Sequence, residues 1–182
     1  LAPRGQDKPN VQRQTHSPST FIVDLGKAYR KTDRRKRIMD MLALHPYAIS
    51  SKLAPTFANP NNTSLGISDY DKLRRLLTRA FQGTPQPGFG LPILYDEFGY
   101  QSKIPARKQR FYRHLHSVAA RDAVSEARQA ESYSRAFAIA QCQPTVVGLL
   151  IFHVTDERDA RAWQSGLYYA DKSRKSSFGA VR

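Results

Sequence analysis

The sequence predicts an α/β fold with a parallel sheet. Three apolar segments, IMDMLALHPY (38–47), LPILYDE (91–97) and TVVGLLIFHV (145–154), alternate with three helix-like segments, and that alternation is the pattern of a parallel sheet with crossover helices. Two further observations agree. In each unit the connection leaving the strand is longer than the one leaving the helix. Polar residues also gather where the strands end: His45 and Tyr47, Asp96 and Glu97, then His153, Asp156 and Glu157. Parallel α/β folds place their chemistry on that face.

Residues 1–19 hold Pro3, Gly5, Pro9 and Pro18 among polar neighbours and read as a loop leading into a domain over 20–182. Ser17-Pro18-Ser19-Thr20 has the composition of a helix start, and a helix is expected from about 20 to 30. The run 38–47 has the length of a buried strand, although periodicity alone does not separate it from a buried helix. Residues 48–66, with Pro55, Asn59, Pro60, Asn61, Asn62 and Gly66, form a long loop. SDYDKLRRLLTRAFQ (68–82) is an amphipathic helix, with Leu73, Leu76, Leu77 and Phe81 on one face and Ser68 as its expected N-cap. Gly83, Pro85, Pro87, Gly88 and Gly90 end it before the second strand. Residues 99–121 are polar, basic and aromatic and read as loop. A helix over 125–142 stops at Pro144, and the third strand follows. Residues 155–175 form another loop, and SSFGAVR begins a last helix.

The chain has 182 residues with 40% hydrophobic content, enough for one sizeable core. No run of about 18 apolar residues occurs, so no membrane-spanning helix is expected. The first residue is Leu, and no signal segment is visible; a mature domain or a fragment is the expectation. Cys142 is the single cysteine, so no internal disulfide can form, and its apolar surroundings predict a small buried hydrophobe. The formal net charge of +14 raises nucleic acid, acidic membranes and anionic polymers as partners. The densest cluster, residues 30–37, follows a helix and suits a solvated C-terminal end. RKQRFYRH (107–114) is the stretch where bases and aromatics interleave as nucleic-acid binding requires.

A carboxylate at a strand end beside aromatics suits glycoside cleavage. That reaction commonly uses two carboxyls, one as acid and the other as nucleophile or base. Tyr47, Tyr95, Tyr100 and Trp163 supply aromatic faces for sugar rings. The pair Asp96-Glu97 can equally hold a metal or cap the next helix. Strand alternation puts Tyr95 on the side of Glu97 and points Asp96 the other way, into a structural role. His153 and Glu157 are four apart, but off a helix that spacing does not converge on a metal. His114 and His116 read as surface. No phosphate-binding glycine loop and no Gly-x-Ser-x-Gly elbow is present.

The stretches MDMLALHPY, LPILYDEFGYQSKIP and VVGLLIFHVTDE, with WQSGLYYADKSRKSS, resemble the C-terminal half of a clan A glycoside hydrolase of the cellulase type, glycoside hydrolase family 5. The likeness runs from about residue 17 onward. It implies a (β/α)8 barrel of which this chain carries strands resembling the sixth, seventh and eighth. It implies Glu97 as nucleophile, from its place at the end of the seventh strand. His45-Pro46-Tyr47 matches the family's His-x-Tyr, which puts His45 and Tyr47 at the substrate. Trp163 is the candidate for the aromatic after the eighth strand, lying some way beyond it. The resemblance implies a carbohydrate substrate and an exported enzyme; no cofactor and no metal are expected.

One departure is large. The family's acid/base glutamate sits in an Asn-Glu pair after the fourth strand, and no Asn-Glu dipeptide occurs here. Of the four glutamates, Glu126 and Glu131 read as helix surface and Glu157 follows the last strand. The expectation is therefore a partial barrel, from a fragment or a truncated gene. Its activity would need the N-terminal half, and its unpaired strand edges would favour self-association. The alternative is a non-catalytic basic protein that binds nucleic acid or an anionic polysaccharide.

Overall fold

The computed structural model describes residues 1–8, 12, 14–116 and 122–181. Three crossover units follow one another: α1 (Pro18–Arg30), β1 (Leu42–Leu44), α2 (Tyr70–Phe81), β2 (Ile93–Phe98), α3 (Glu126–Gln141) and β3 (Val146–Ile151), closed by the short α4 (Ser177–Ala180). The strands form one parallel sheet in the order β1-β2-β3. Expectation and structure agree on a mixed α/β chain with a parallel sheet. The first strand is much shorter than the apolar run 38–47. Ile38 and Met39 give their amides to the side chain of Gln86 instead of to a strand partner.

The core lies between the sheet and its helices. Ile22 and Tyr29 of α1, Leu73, Leu77 and Phe81 of α2, and Tyr133 and Ala136 of α3 close on Leu44, Ile93, Tyr95 and Phe98. Gly26 lets α1 lie against α2, because a Cβ there would sit 2.2 Å from the Ala80 carbonyl oxygen. The long loop before α2 is ordered by the buried Asp69. It accepts from the amides of Asn59 and Gly66 and from the Asn59 side chain. Ser68 caps nothing; its hydroxyl donates to the Pro55 carbonyl. Ser125 does cap α3, accepting from the Arg128 amide. Cys142 is exposed, contrary to the expectation. The chain turns after α3 so that Gln143, not Cys142, goes inward, where it accepts from Tyr95 and donates to the Ile67 carbonyl.

The lead-in is tied to the sheet. The Leu1 amino group donates to the Ala43 carbonyl and the Leu1 carbonyl accepts from the His45 amide, so part of the β1 edge is engaged. The loops after β2 and β3 are joined by a buried network. Asp156 accepts from Lys175 at 2.6 Å, from the Gly166 amide and from Tyr112. Lys175 also donates to Ser102 and to the Gln164 carbonyl. Burial drives the Asp156 carboxyl up and the Lys175 ammonium down from their usual ranges, and their mutual attraction opposes both shifts. Among the described residues no helix is long and apolar enough to cross a membrane.

Candidate functional site

The β2 strand does not alternate throughout. Tyr95 pairs with Leu149 and Phe98 with Ile151. Asp96 and Glu97 therefore both stand opposite Leu150, as two residues against one in a β-bulge. Ile93, Tyr95 and Phe98 go into the core, while Leu94, Asp96 and Glu97 are half-buried. This corrects two expectations drawn from strict alternation. Tyr95 is fully buried and bonds Gln143 at 2.7 Å, so it offers no face to a sugar. Asp96 does not point away from Glu97.

Both carboxylates instead meet His45, which leaves the end of β1. Its Nε2 lies 3.3 Å from Asp96 Oδ2 and its Nδ1 lies 3.3 Å from Glu97 Oε2. Tyr47 donates from its hydroxyl to the same Glu97 oxygen at 3.3 Å. Burial, and then the Glu97 charge, push the Tyr47 hydroxyl far above the ordinary phenol range, so it stays a protonated donor. One Asp96 oxygen, Oδ1, is buried without a hydrogen-bond partner. Glu97 is thus a carboxylate at a strand end, oriented by an imidazole and a phenol.

Aromatic rings line the space beside it. Trp163 packs on Tyr47 with ring centres 5.3 Å apart, and Tyr47 stacks on Phe98. Trp163 is 37% exposed and meets Phe152 edge-on. Phe152 directly follows β3. In the sequence it lies inside the apolar run TVVGLLIFHV, which hides the end of the strand at Ile151. Gly99 permits this junction, since a Cβ there would lie 2.8 Å from the Phe152 carbonyl oxygen. Tyr47, Trp163, Gly99, Gln101, Asp122 and Arg4 help line a cleft of about 400 Å³. His45, Tyr47, Glu97 and Trp163 are brought together; Tyr95 and Tyr100 are buried in the core.

Other carboxylates are engaged. Glu126 is not plain helix surface: it accepts from Tyr169 and from the Ser176 amide and hydroxyl, which hold its carboxyl below the usual range against the opposing effect of burial. Glu131 pairs with Arg128 and Arg135. His153 and Glu157 do approach, at 3.8 Å, because the chain bends after β3. Among the described residues no three His, Cys, Asp or Glu side chains assemble as a metal-holding group.

No protein-family model and no curated protein matches the chain. Solved structures do. The chain is similar to a family 39 glycoside hydrolase from the gut symbiont Bacteroides cellulosilyticus WH2, with a TM-score of 0.58 and 16% identity over 91% of this chain and 30% of that one. The fold is glycoside-hydrolase-like. A family 2 β-galacturonidase from Eisenbergiella tayi, bound to glycerol, gives a TM-score of 0.51 and 14% identity over 78% of this chain and 22% of that one. At these identities the likeness concerns the fold, and the chain spans less than a third of either enzyme's length.

Proposed function

We propose that the chain is the C-terminal part of a retaining (β/α)8 glycoside hydrolase of clan A, related to family 5, that cleaves β-glycosidic bonds in an oligo- or polysaccharide once an N-terminal half completes the barrel. β1, β2 and β3 take the places of its sixth, seventh and eighth strands. The observation that carries this reading is the convergence of His45 and Tyr47 on Glu97, beside the Tyr47–Trp163 aromatic pair. Similarity to glycoside hydrolases of families 39 and 2 supports it.

In this reading Glu97 attacks the anomeric carbon as the bond to the leaving group breaks, and a covalent glycosyl-enzyme forms. Water then displaces Glu97 with retention. Tyr47 and His45 fix the attacking oxygen, and Tyr47 remains a donor throughout because its proton is held so tightly. Trp163 and Phe152 offer apolar faces to the sugar. The proton for the leaving group comes from a carboxyl in the other half of the barrel, about 5–5.5 Å from Glu97 in an assembled site. The assembled enzyme is exported.

The test is Glu97→Gln in the complete protein. Hydrolysis of an aryl β-glycoside should disappear while binding of the glycan persists. Undiminished turnover would remove Glu97 from the nucleophile role.

A further inference from the structure

The basic stretch 107–114 has a use that the proposed nucleophile site does not explain. The segment runs through a 3-10 helix, Ala106–Phe111, and then joins the loop after β3. The Arg113 amide donates to the Arg158 carbonyl and the Ala160 amide donates to the Arg113 carbonyl. Between the two loops lies a cleft of about 540 Å³ walled by Arg110, Phe111, Tyr112, Arg113, Arg158 and Asp171.

Carboxylates near the arginines already have partners. Asp171 is held by Lys108 at 2.6 Å. Asp159 is held by Arg161 at 2.6 Å and by His114. Glu157 faces His153, and Asp156 belongs to Lys175. Among the described residues, Arg110, Arg113 and Arg158 have no carboxylate within ion-pair distance. Three guanidinium groups around one concavity repel each other unless an anion joins them. Their backbones are also fixed, because Tyr112 next to Arg113 is buried and bonded to Asp156. A guanidinium on an anchored backbone recognises a planar or tetrahedral oxyanion by paired hydrogen bonds.

We propose that Arg110, Arg113 and Arg158 form a subsite for the carboxylate or sulfate groups of an acidic polysaccharide. This deepens the glycosidase reading and rests on it: the substrate class becomes an anionic glycan. Two observations favour a glycan over nucleic acid. Phe111 lies against Arg110 and Lys108, with the cations 4.8 and 5.9 Å from its ring centre, and Tyr112 is buried, so neither ring is free for base stacking. The loop that carries Arg158 also carries Trp163, and the Glu157 amide bonds the Trp163 carbonyl. The anion cleft and the aromatic site therefore belong to one continuous loop.

The experiment measures binding of the chain to polygalacturonate, to dextran sulfate and to unsubstituted dextran over a salt series. A homopolymer, poly(U), is titrated alongside. The Arg113→Gln/Arg158→Gln variant should bind the acidic glycans at least about tenfold more weakly. Arg35→Gln/Lys36→Gln removes the same charge from an exposed segment and should leave affinity within about twofold. Preference between the two acidic polymers identifies the group recognised. Equal losses in both variants would reduce the effect to net charge and overturn the subsite. Tighter binding of poly(U), lost in Arg113→Gln/Arg158→Gln, would overturn it in favour of nucleic acid. Unsubstituted dextran bound as tightly as the acidic polymers would overturn it too. Glu97→Gln leaves this cleft untouched, so glycan binding without turnover in the completed wild-type enzyme would count against the nucleophile and not against the subsite.

Discussion

The strand-end site and the network beneath the loops use similar residues to opposite ends. Asp156 and Lys175 are almost wholly buried, and the donors and acceptors around them are matched: Tyr112, Gly166, Ser102 and the Gln164 carbonyl complete the set. Asp96, Glu97 and His45 are each about one-third exposed, their contacts are longer, and one Asp96 oxygen has no partner at all. A saturated polar network holds two loops in place. A half-satisfied one leaves capacity for a substrate. The difference teaches that here a short, fully buried charge pair holds the architecture, while the looser cluster is where the proposed chemistry would sit.

The largest test of that contrast is Glu97→Gln. In the completed enzyme it should lower turnover by more than about 1,000-fold, some 4 kcal/mol in barrier, while the melting temperature of the chain hardly moves. Lys175→Met should do the reverse. Leaving the Asp156 carboxylate buried without its cation, held by Tyr112 and the Gly166 amide only, costs about 3–5 kcal/mol of stability in denaturant titration. Adding Asp156→Leu should recover much of that loss, and no recovery would refute the assignment of the cost to an orphaned charge. Gly99→Ala should cost about 1–3 kcal/mol through overpacking against Phe152 and Ser165. It should also shift the fluorescence of Trp163, the only tryptophan in the chain. Tyr47→Phe should reduce turnover by about tenfold through loss of one hydrogen bond to a charged oxygen, and stability should be nearly unchanged.

The smallest effect is a titration. Asp171 is held down to about 2, first by its hydrogen bond with Lys108 and then by Ser173. A depressed carboxyl favours the folded state above its unfolded value of 3.8, and that contribution disappears as pH falls through about 2. Carboxyl carbon shifts followed by NMR should report this value, and Lys108→Met should return it toward 3.8. A normal Asp171 titration in the wild type would refute the Lys108–Asp171 pair as a standing contact.

The alternation of apolar runs and amphipathic helices was legible because burial on a sheet and on a helix face leaves different periods. The helix over 70–81 followed directly from Leu73, Leu77 and Phe81. The grouping of His45, Tyr47 and Glu97 came from a resemblance joined to strand-end position. Tyr95 was misplaced because a bulge is set by pairing with β3, and a neighbour's register is not written in the strand itself. Cys142 was misplaced because helix ends are decided by which residue finds a buried partner, and Gln143 found one. The arginine cleft was half visible: the run 107–114 was apparent, but Arg158 joins it only through backbone bonds between distant loops.

The bulge at Asp96-Glu97 also governs what kinds of genetic change this strand can absorb. Either acid can be exchanged for a polar residue without disturbing Tyr95 or Phe98, since both acids project away from the core. Loss of one codon between Tyr95 and Phe98 is a different event. It removes the bulge: Tyr95 and Phe98 become two apart, still opposite Leu149 and Ile151 and both facing the core, and one acid is left to meet His45. The fold is expected to absorb loss of one residue at the bulge but not at Leu94, where deletion would turn Ile93 out of the core or shift its register, a contrast that a scan of single-codon deletions would expose.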